Sequence, residues 1–499
     1  MATTYLSPGV YVEEVSGGVK PIAGVGTSTG AFVGIAEKGV VGKAVLVTNW
    51  SQFVKEFGGF IPNGYLAYAV YGFFAEGGTS CYVVRAASNN AKSSSVTIKD
   101  VDNADALKVT ARSEGVWGDK ITIEIADPSE KPAATHFKLT VKYEERFKEE
   151  YEPVDVLEEA FDNITITDVE NKVNGISAFI NVDADLSGKR PTNGSSYKLT
   201  GGADGVEDAD FIGDADNKKG LHAFDEVDDI NIVAIPDKAG DPEVILAGLN
   251  YCKNRKDCFF IADSPYGLIP TDIAKFKKGT GGGNTGNAFN SSYGALYYPW
   301  VYISDPLTGK RKLVPPSGVV AGTYAYTDSA RGVHKAPAGI SEGYLDSVVG
   351  IEKIITKGEH DVLNPAQINV IRSLPSGICI WGARTLSADS EWLYVNVRRL
   401  LLYIEESVDE GTQWVVFEPN DPALWGKVKR NITAFLMRVW RDGALFGTTP
   451  EEAFFVKVDE ENNPPEVRDA GQLIIEVGVA PVKPAEFVII RISQKTLTK

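Results

Sequence analysis

Apolar positions recur along this chain in three rhythms, and each predicts an element. Near-continuous apolar runs, the pattern of strands buried on both faces, occupy 30–36 (GAFVGIA), 81–86 (CYVVRA), 230–235 (INIVAI) and 258–262 (CFFIA). Helical spacing fills Trp50 to Phe60 and Tyr65 to Glu76, the second through Leu66, Val70, Phe73 and Phe74, so the chain opens as a β-α-α-β unit. Asp241-Pro242 begins a helix through Tyr251 between the last two runs, and strand, helix, strand at that spacing predicts a parallel crossover. Asp237 and Asp263 then fall at the carboxyl ends of two strands, as catalytic residues or as ordinary strand-end caps. Between 89 and 200 strict alternation takes over, as in Ile121–Ile125 and His136–Lys142, among charged loops. That segment reads as a β-rich insertion on the outside of whatever is built.

The C-terminal half returns to helices. Ser291 to Gly339 predicts a strand, a Pro-Leu-Thr-Gly turn, a second strand and a short helix after Pro315-Pro316-Ser317-Gly318. Leu393, Val397, Leu400, Leu401, Ile404 and Val408 make one helical stripe, with Ser387 or Asp389 as its cap and Gly411 closing it. A strand, Trp414–Phe417, precedes a second helix that starts at Asp421-Pro422 and buries Leu424, Trp425, Val428, Ile432, Phe435, Leu436 and Val439 before Gly443. Both chain ends look extended and tethered. Val10, Tyr11 and Val12 sit between Pro8-Gly9 and Gly17-Gly18, and Leu473–Ala480 is followed by Pro481 and Pro484. The last run, Glu486 to Gln494, carries Phe487, Val488, Ile489, Ile490 and Ile492 and wants burial on both faces. It either completes its own sheet or is added to a sheet of another subunit.

Composition narrows the function. A chain of 499 residues, 43% hydrophobic in type, can form two to four domains. A formal net charge of -17 argues against a general nucleic-acid binder. Four cysteines in so long a chain make no disulfide framework, which points to synthesis in a reducing compartment; the resemblance given below implies that this is the bacterial cytoplasm. The opening MATTYLSPGVYVEEV has no basic or apolar signal region, and no apolar run reaches the ~20 residues of a membrane span, so neither secretion by leader nor membrane insertion is expected.

Candidate chemistry is sparse. The acidic run holding Asp204, Asp208, Asp210, Asp214 and Asp216 lacks the closing Glu of a calcium loop and reads as a solvated loop, so no metal is expected. Gly279 to Gly286 has no following Lys-Ser/Thr and reads as a flexible loop, so no cofactor is expected. Ser317 and His334, with an acid such as Asp263, would be a hydrolase set, but the G-x-S-x-G elbow is missing. The second C-terminal helix carries Lys427, Lys429, Arg430, Arg438 and Arg441 with almost no acid, inside a strongly acidic chain. That face is either simply solvated or meets an acidic partner.

Several long motifs in order resemble the contractile tail sheath proteins of phages, R-type bacteriocins and extracellular contractile injection systems. They are Tyr5–Glu13, Leu313–Gly322 with Asp328 and Arg331–Ala338, Asn364–Asn369, Trp381–Leu386, Arg398-Arg399, Trp414–Asn420 and Val477–Phe487. The resemblance implies a mixed α/β (α+β) fold with a subtilisin-like α/β middle domain that has no protease residues. It divides the chain into an N-terminal arm (1–25), a first part of the α/β domain (26–90), the β-rich insertion (91–200), the α/β domain continued (201–345), a C-terminal α/β core (346–480) and a donor-strand arm (481–499). It also implies a structural, non-enzymatic subunit that stacks as hexameric rings around an inner tube protein, with baseplate and terminator or cap proteins at the ends. Contraction then drives the tube through a target envelope. The arms, through Val10, Tyr11, Val12, Phe487, Val488, Ile489, Ile490 and Ile492, would pair with neighbouring subunits, and the basic helix would face the tube. A single chain with both arms differs from the two-chain sheath of type VI secretion.

Overall fold

The near-continuous apolar runs become the strands of one eight-stranded sheet. In chain order these are β1 (Gly30–Gly34), β2 (Val45–Val47), β3 (Cys81–Arg85), β4 (Ile232–Ala234), β5 (Phe259–Asp263), β6 (Gly294–Tyr298), β7 (Ile368–Leu374) and β8 (Gly377–Ile380). Their spatial order is β2-β3-β1-β4-β5-β6-β7-β8; the inner six run parallel, and β2 and β8 pair antiparallel at the edges. Alternate residues go to opposite faces: Phe32, Ile232, Phe259 and Ile261 enter one apolar core, and Ala31, Val33, Val233 and Phe260 the other. Burial on both faces explains why these strands read as continuous rather than alternating.

This computed structural model describes residues 21–489 apart from 131, 133, 146–154, 185–187 and 307. Helices α1 (Trp50–Phe57), α2 (Leu66–Ala75) and α4 (Ser317–Arg331) pack on one core, and α3 (Pro242–Arg255) on the other. Asp241 caps α3 as expected, accepting from Glu243 and Val244. Helices α2 and α4 approach so closely that a Cβ at Gly318 would lie 2.3 Å from the Ala69 Cα. The Ser-Gly of the Pro-Pro-Ser-Gly motif thus serves helix packing, and the helix it starts is 15 residues long, not short.

Residues 91–200 form a β-rich insertion with its own core, two sheets of four and three strands around Trp117, Ile121, Ile123, Leu139 and Val141. Its root is fastened by buried Arg85, which donates to the carbonyls of Ala36, Gly39 and Glu114.

Two compact units result. Among the described residues, one comprises Gly26–Leu402 with residues 483–489, the other Tyr403–Val482 with residues 21–25. The backbone therefore passes from one unit to the other three times. The first unit runs to Leu402 rather than ending near residue 345, because β7 and β8 extend the same sheet. Helix α5 (Lys357–Leu363) lies within it, and α6 (Val395–Thr412) runs across the boundary. In the second unit α7 (Pro422–Arg441), capped by Asp421, buries the expected stripe, and β9 (Phe454–Lys457) pairs antiparallel with β10 (Glu476–Val479).

Four local expectations fail for local reasons. Ser387 and Asp389 do not cap α6; their side chains accept from Asp389 and Glu391 in tight turns well before the helix starts at Val395. Trp414–Phe417 is no strand: α6 continues through Thr412, and a 3-10 turn at Gln413–Val415 follows. The glycine run is a pinned hairpin, Thr280-Gly281 with Asn284-Thr285, because the Asn284 amide donates to the carbonyls of Phe276 and Asn287. Within the acidic run, Asp208–Ile212 forms a short helix whose capping box is Glu207 and Asp210.

Candidate functional site

In an α/β enzyme chemistry sits at the carboxyl ends of the strands. Asp263, the last residue of β5, accepts the Ser317 amide N–H at 2.7 Å and so caps α4. Ser317 is wholly buried. His334 lies three residues beyond the other end of α4, which is about 20 Å long. Three residues of chain reach back at most about 10 Å. The structure therefore does not bring Ser317 and His334 together.

Asp237 fills the crevice between β1 and β4, where the strand order changes direction. Its carboxylate accepts the N–H groups of Ile35 (2.6 Å) and Tyr65, and a Cβ at Gly34 would lie 2.4 Å from it. The side chain occupies the place a ligand would take in a doubly wound fold. Among the described residues no cluster of His, Cys, Asp or Glu could hold a metal, and no helix is long and apolar enough to cross a membrane.

Burial pushes the Asp263 carboxyl up to about 7, against the pull of its hydrogen bonds from Ser317, and burial likewise pushes Asp237 up to about 6. A carboxyl raised on folding adds stability that is complete below the unfolded pKa and is lost as pH rises through the folded one. Raising the pH from about 5 to about 8 should thus lower the melting temperature of the protein more than that of Asp263→Asn, whose amide still accepts from Ser317. Thermal melts across that range measure the difference; parallel curves would refute it.

The chain next to each terminal segment is held by polar contacts. Glu486 is gripped by Arg384, Nε to Oε1 at 2.8 Å and an Nη to Oε2 at 2.6 Å, and also accepts from Asn364 (2.8 Å) and the Tyr394 hydroxyl (3.1 Å). Burial alone would raise its carboxyl pKa, but the hydrogen bonds and charge of Arg384, with Asn364, outweigh this and hold it below the ordinary range. Immediately beyond, Phe487, Val488 and Ile489 are 71, 80 and 78% exposed. Ile490, Ile492 and the N-terminal Val10, Tyr11 and Val12 lie outside the described residues.

At the other end of the chain, Arg399 donates to the Thr27 carbonyl and to both oxygens of Asp328, at 2.9 and 2.6 Å. The two side chains are 3 and 2% exposed, and Arg399 lies over the Tyr324 ring. In the second unit, Ile22 is buried, its carbonyl accepts from Arg438, and Val25 donates to the Ser407 hydroxyl.

The basic residues of α7 are all exposed. At 100° per residue Lys427, Arg430, Arg438 and Arg441 share one face opposite the buried stripe, with exposed Ala434 between them. Lys429 falls on the other flank, so the five do not form one surface. The β9–β10 pair is a sheet of only two strands, a size marginal alone, and among the described residues no third strand pairs with it.

One exposed apolar feature was misread from sequence. After the turn at Gln413–Val415, Phe417 is fully exposed with φ +69°. That backbone region costs a bulky residue about 1 kcal/mol or more. It is held there by Glu418 donating to the Val415 carbonyl, while the Trp414 indole donates to Gly411 and the Asn420 amide to Gln472. An aromatic next to Glu418-Pro419 was the available sign of a tip rather than a strand.

Comparisons with known proteins bear on the whole arrangement. The sequence profile of the phage tail sheath protein central domain matches residues 210–386, and that of the phage tail sheath C-terminal domain matches 387–495. A tail sheath protein of Vibrio phage KVP40 is 26% identical over 366 residues, 66% of this chain, and the chain spans about half of that relative's length, 52%. Two solved structures share the fold. The sheath complex of the PVC extracellular contractile injection system in its contracted state gives a TM-score of 0.60 at 22% identity, covering 99% of both chains. The helical sheath of the anti-feeding prophage in its contracted state gives 0.59 at 23%, covering 99% of this chain and 100% of that one. With its two characteristic domains matched in order and without a gap over more than half its length, this chain belongs to the phage tail sheath protein family.

Proposed function

We propose that this chain is the structural subunit of a contractile sheath, in a phage tail or a released contractile particle. It polymerises with copies of itself as stacked hexameric rings around an inner tube, ends on baseplate and terminator or cap proteins, and contracts to drive the tube through an envelope. The observation that carries this reading is the C-terminal arm: its root is clamped at Glu486 while the apolar residues beyond it stand uncovered, in a chain of the sheath family. Such a segment needs a sheet to join, and main-chain pairing tolerates rotation of the bodies it links. The two-stranded β9–β10 sheet offers a receiving edge on a neighbouring copy. Electron microscopy of the purified chain with and without tube tests the reading; a protein that stays monomeric with tube present overturns it.

The α7 face supports a tube contact that is charged and therefore weak enough to release. Reversing Arg430 and Arg441 to Glu should abolish assembly on tubes, whereas Lys429→Glu, on the other flank, should leave it near the unaltered level. Equal effects from both would move the tube contact elsewhere.

A further inference from the structure

We propose that residues 21–25 are a releasable strap: the groove on α6 and α7 that binds them lets go during contraction and so lengthens the N-terminal arm. Resting on the reading of the chain as a contractile sheath subunit, this adds a peptide-binding groove to the arm strands already described.

The groove is cut to fit an extended chain. Tyr403, Ser407 and Gly411 follow one another at i, i+4 and i+8 and so form one stripe on α6. Each of them meets one position of the strap. Ile22 is buried where Gly411 leaves a notch, and a Cβ on that glycine would lie 2.5 Å from the Ile22 side chain. Gly24 passes so close to Tyr403 that a Cβ on it would overlap the hydroxyl. The Val25 N–H donates to the buried Ser407 hydroxyl at 3.2 Å, and Arg438 of α7 donates to the Ile22 carbonyl. Demands on size at two positions and on hydrogen bonding at two more make this a specific seat.

The hold is nevertheless light. Of the five residues Ile22 alone is buried, while Pro21, Ala23 and Gly24 are exposed. Segments with few buried apolar contacts are the ones that open first. At Gly26 a Cβ would meet nothing within 4 Å, and directly beyond it the chain is fixed. The Thr27 carbonyl accepts from Arg399, the Ser28 hydroxyl donates to Asp328 at 3.4 Å, the Thr29 N–H donates to Asn231 at 3.1 Å, and Gly30 opens β1. A pull from the N-terminal side therefore frees residues 21–25 and stops at Thr27. Five residues span at most about 17 Å. An arm strand that stays paired with a neighbour while the two bodies move needs spare chain of this kind. The C-terminal arm has none at its clamp, since Arg384, Asn364 and Tyr394 hold Glu486 directly before the exposed residues. One arm is rigidly rooted, and the other carries the slack.

The test uses the full chain with Ile22→Cys and Gly411→Cys; the four native cysteines are buried. A Cβ at Gly411 would lie 3.0 Å from the Ile22 Cβ, and a disulfide takes about 3.5–4.5 Å, so the pair bonds after a shift of about 1 Å. The two cysteines give up two electrons and two protons and form one disulfide, while oxidised glutathione accepts them and leaves as two thiols. Stapled subunits should assemble on tubes like the unaltered chain. In urea that contracts unaltered sheaths they should contract at least tenfold less often, and reduction should restore contraction. Three results overturn the strap: no staple in the free subunit, contraction of stapled sheaths to the unaltered extent, or assembly lost on stapling and regained on reduction. Should the double variant fail to assemble even when reduced, hydrogen exchange on unaltered particles decides. The Val25 amide should exchange at least tenfold faster in contracted particles than in extended ones, and equal rates overturn release. An unaltered chain that never assembles sinks the sheath reading itself, whatever the staple does.

Discussion

A chain ending at Glu486 should fold, remain soluble and fail to polymerise at concentrations where the full chain forms sheaths. Phe487, Val488 and Ile489 stand mostly in solvent, so their removal takes little from the folded subunit. On a neighbour's sheet each is worth about 1.5–3 kcal/mol when fully buried, so the three contribute about 4.5–9 kcal/mol per subunit before ordering costs. The concentration needed for assembly should rise by three orders of magnitude or more, since about 1.4 kcal/mol is tenfold. Sedimentation against concentration measures this. Truncating one residue earlier should behave differently, because Arg384 then loses its carboxylate partner while half-buried, and the subunit itself should melt lower. A truncated chain that still forms sheaths would remove the arm from the assembly.

The second large effect concerns Asp328 and Arg399. Replacing Asp328 with Ala strands a guanidinium that is almost fully buried, and loss of one partner of such a pair costs about 3–5 kcal/mol. Denaturant unfolding of Asp328→Ala should show a loss of that size. The double variant Asp328→Leu with Arg399→Met should recover most of it, since an apolar pair of similar volume leaves no orphaned charge. A double variant as unstable as the single one would mean that the bond from Arg399 to the Thr27 carbonyl, rather than the ion pair, holds this region.

The elements that could be read from sequence were those whose signal is long and repeated. Strands buried on both faces announced themselves as unbroken apolar runs, and the α7 stripe persisted for five turns. What escaped was decided by single hydrogen bonds or by distant partners. Ser387 and Asp389 have the composition of helix caps but spend their oxygens on turns two residues away. Trp414–Phe417 has the composition of a strand, yet has no sheet to join and turns outward at Phe417. The clamp on Glu486 joins residues 92 to 122 positions apart, and no local pattern foretells it. The missing elbow at Ser317 was legible in the sequence; the reason for the Ser-Gly pair, the closeness of α2, needed the fold.

The three passages of the backbone between units also set a timetable. The unit carrying α7 and the β9–β10 pair draws on two stretches far apart in the chain, residues 21–25 and Tyr403–Val482. On a ribosome the large sheet, closed by Ile380, can form while synthesis continues, since domains fold as units during synthesis. The other unit has to wait for the last strand, Glu476–Val479. The β9–β10 pair therefore forms later than the large sheet on a chain made from its N-terminal side.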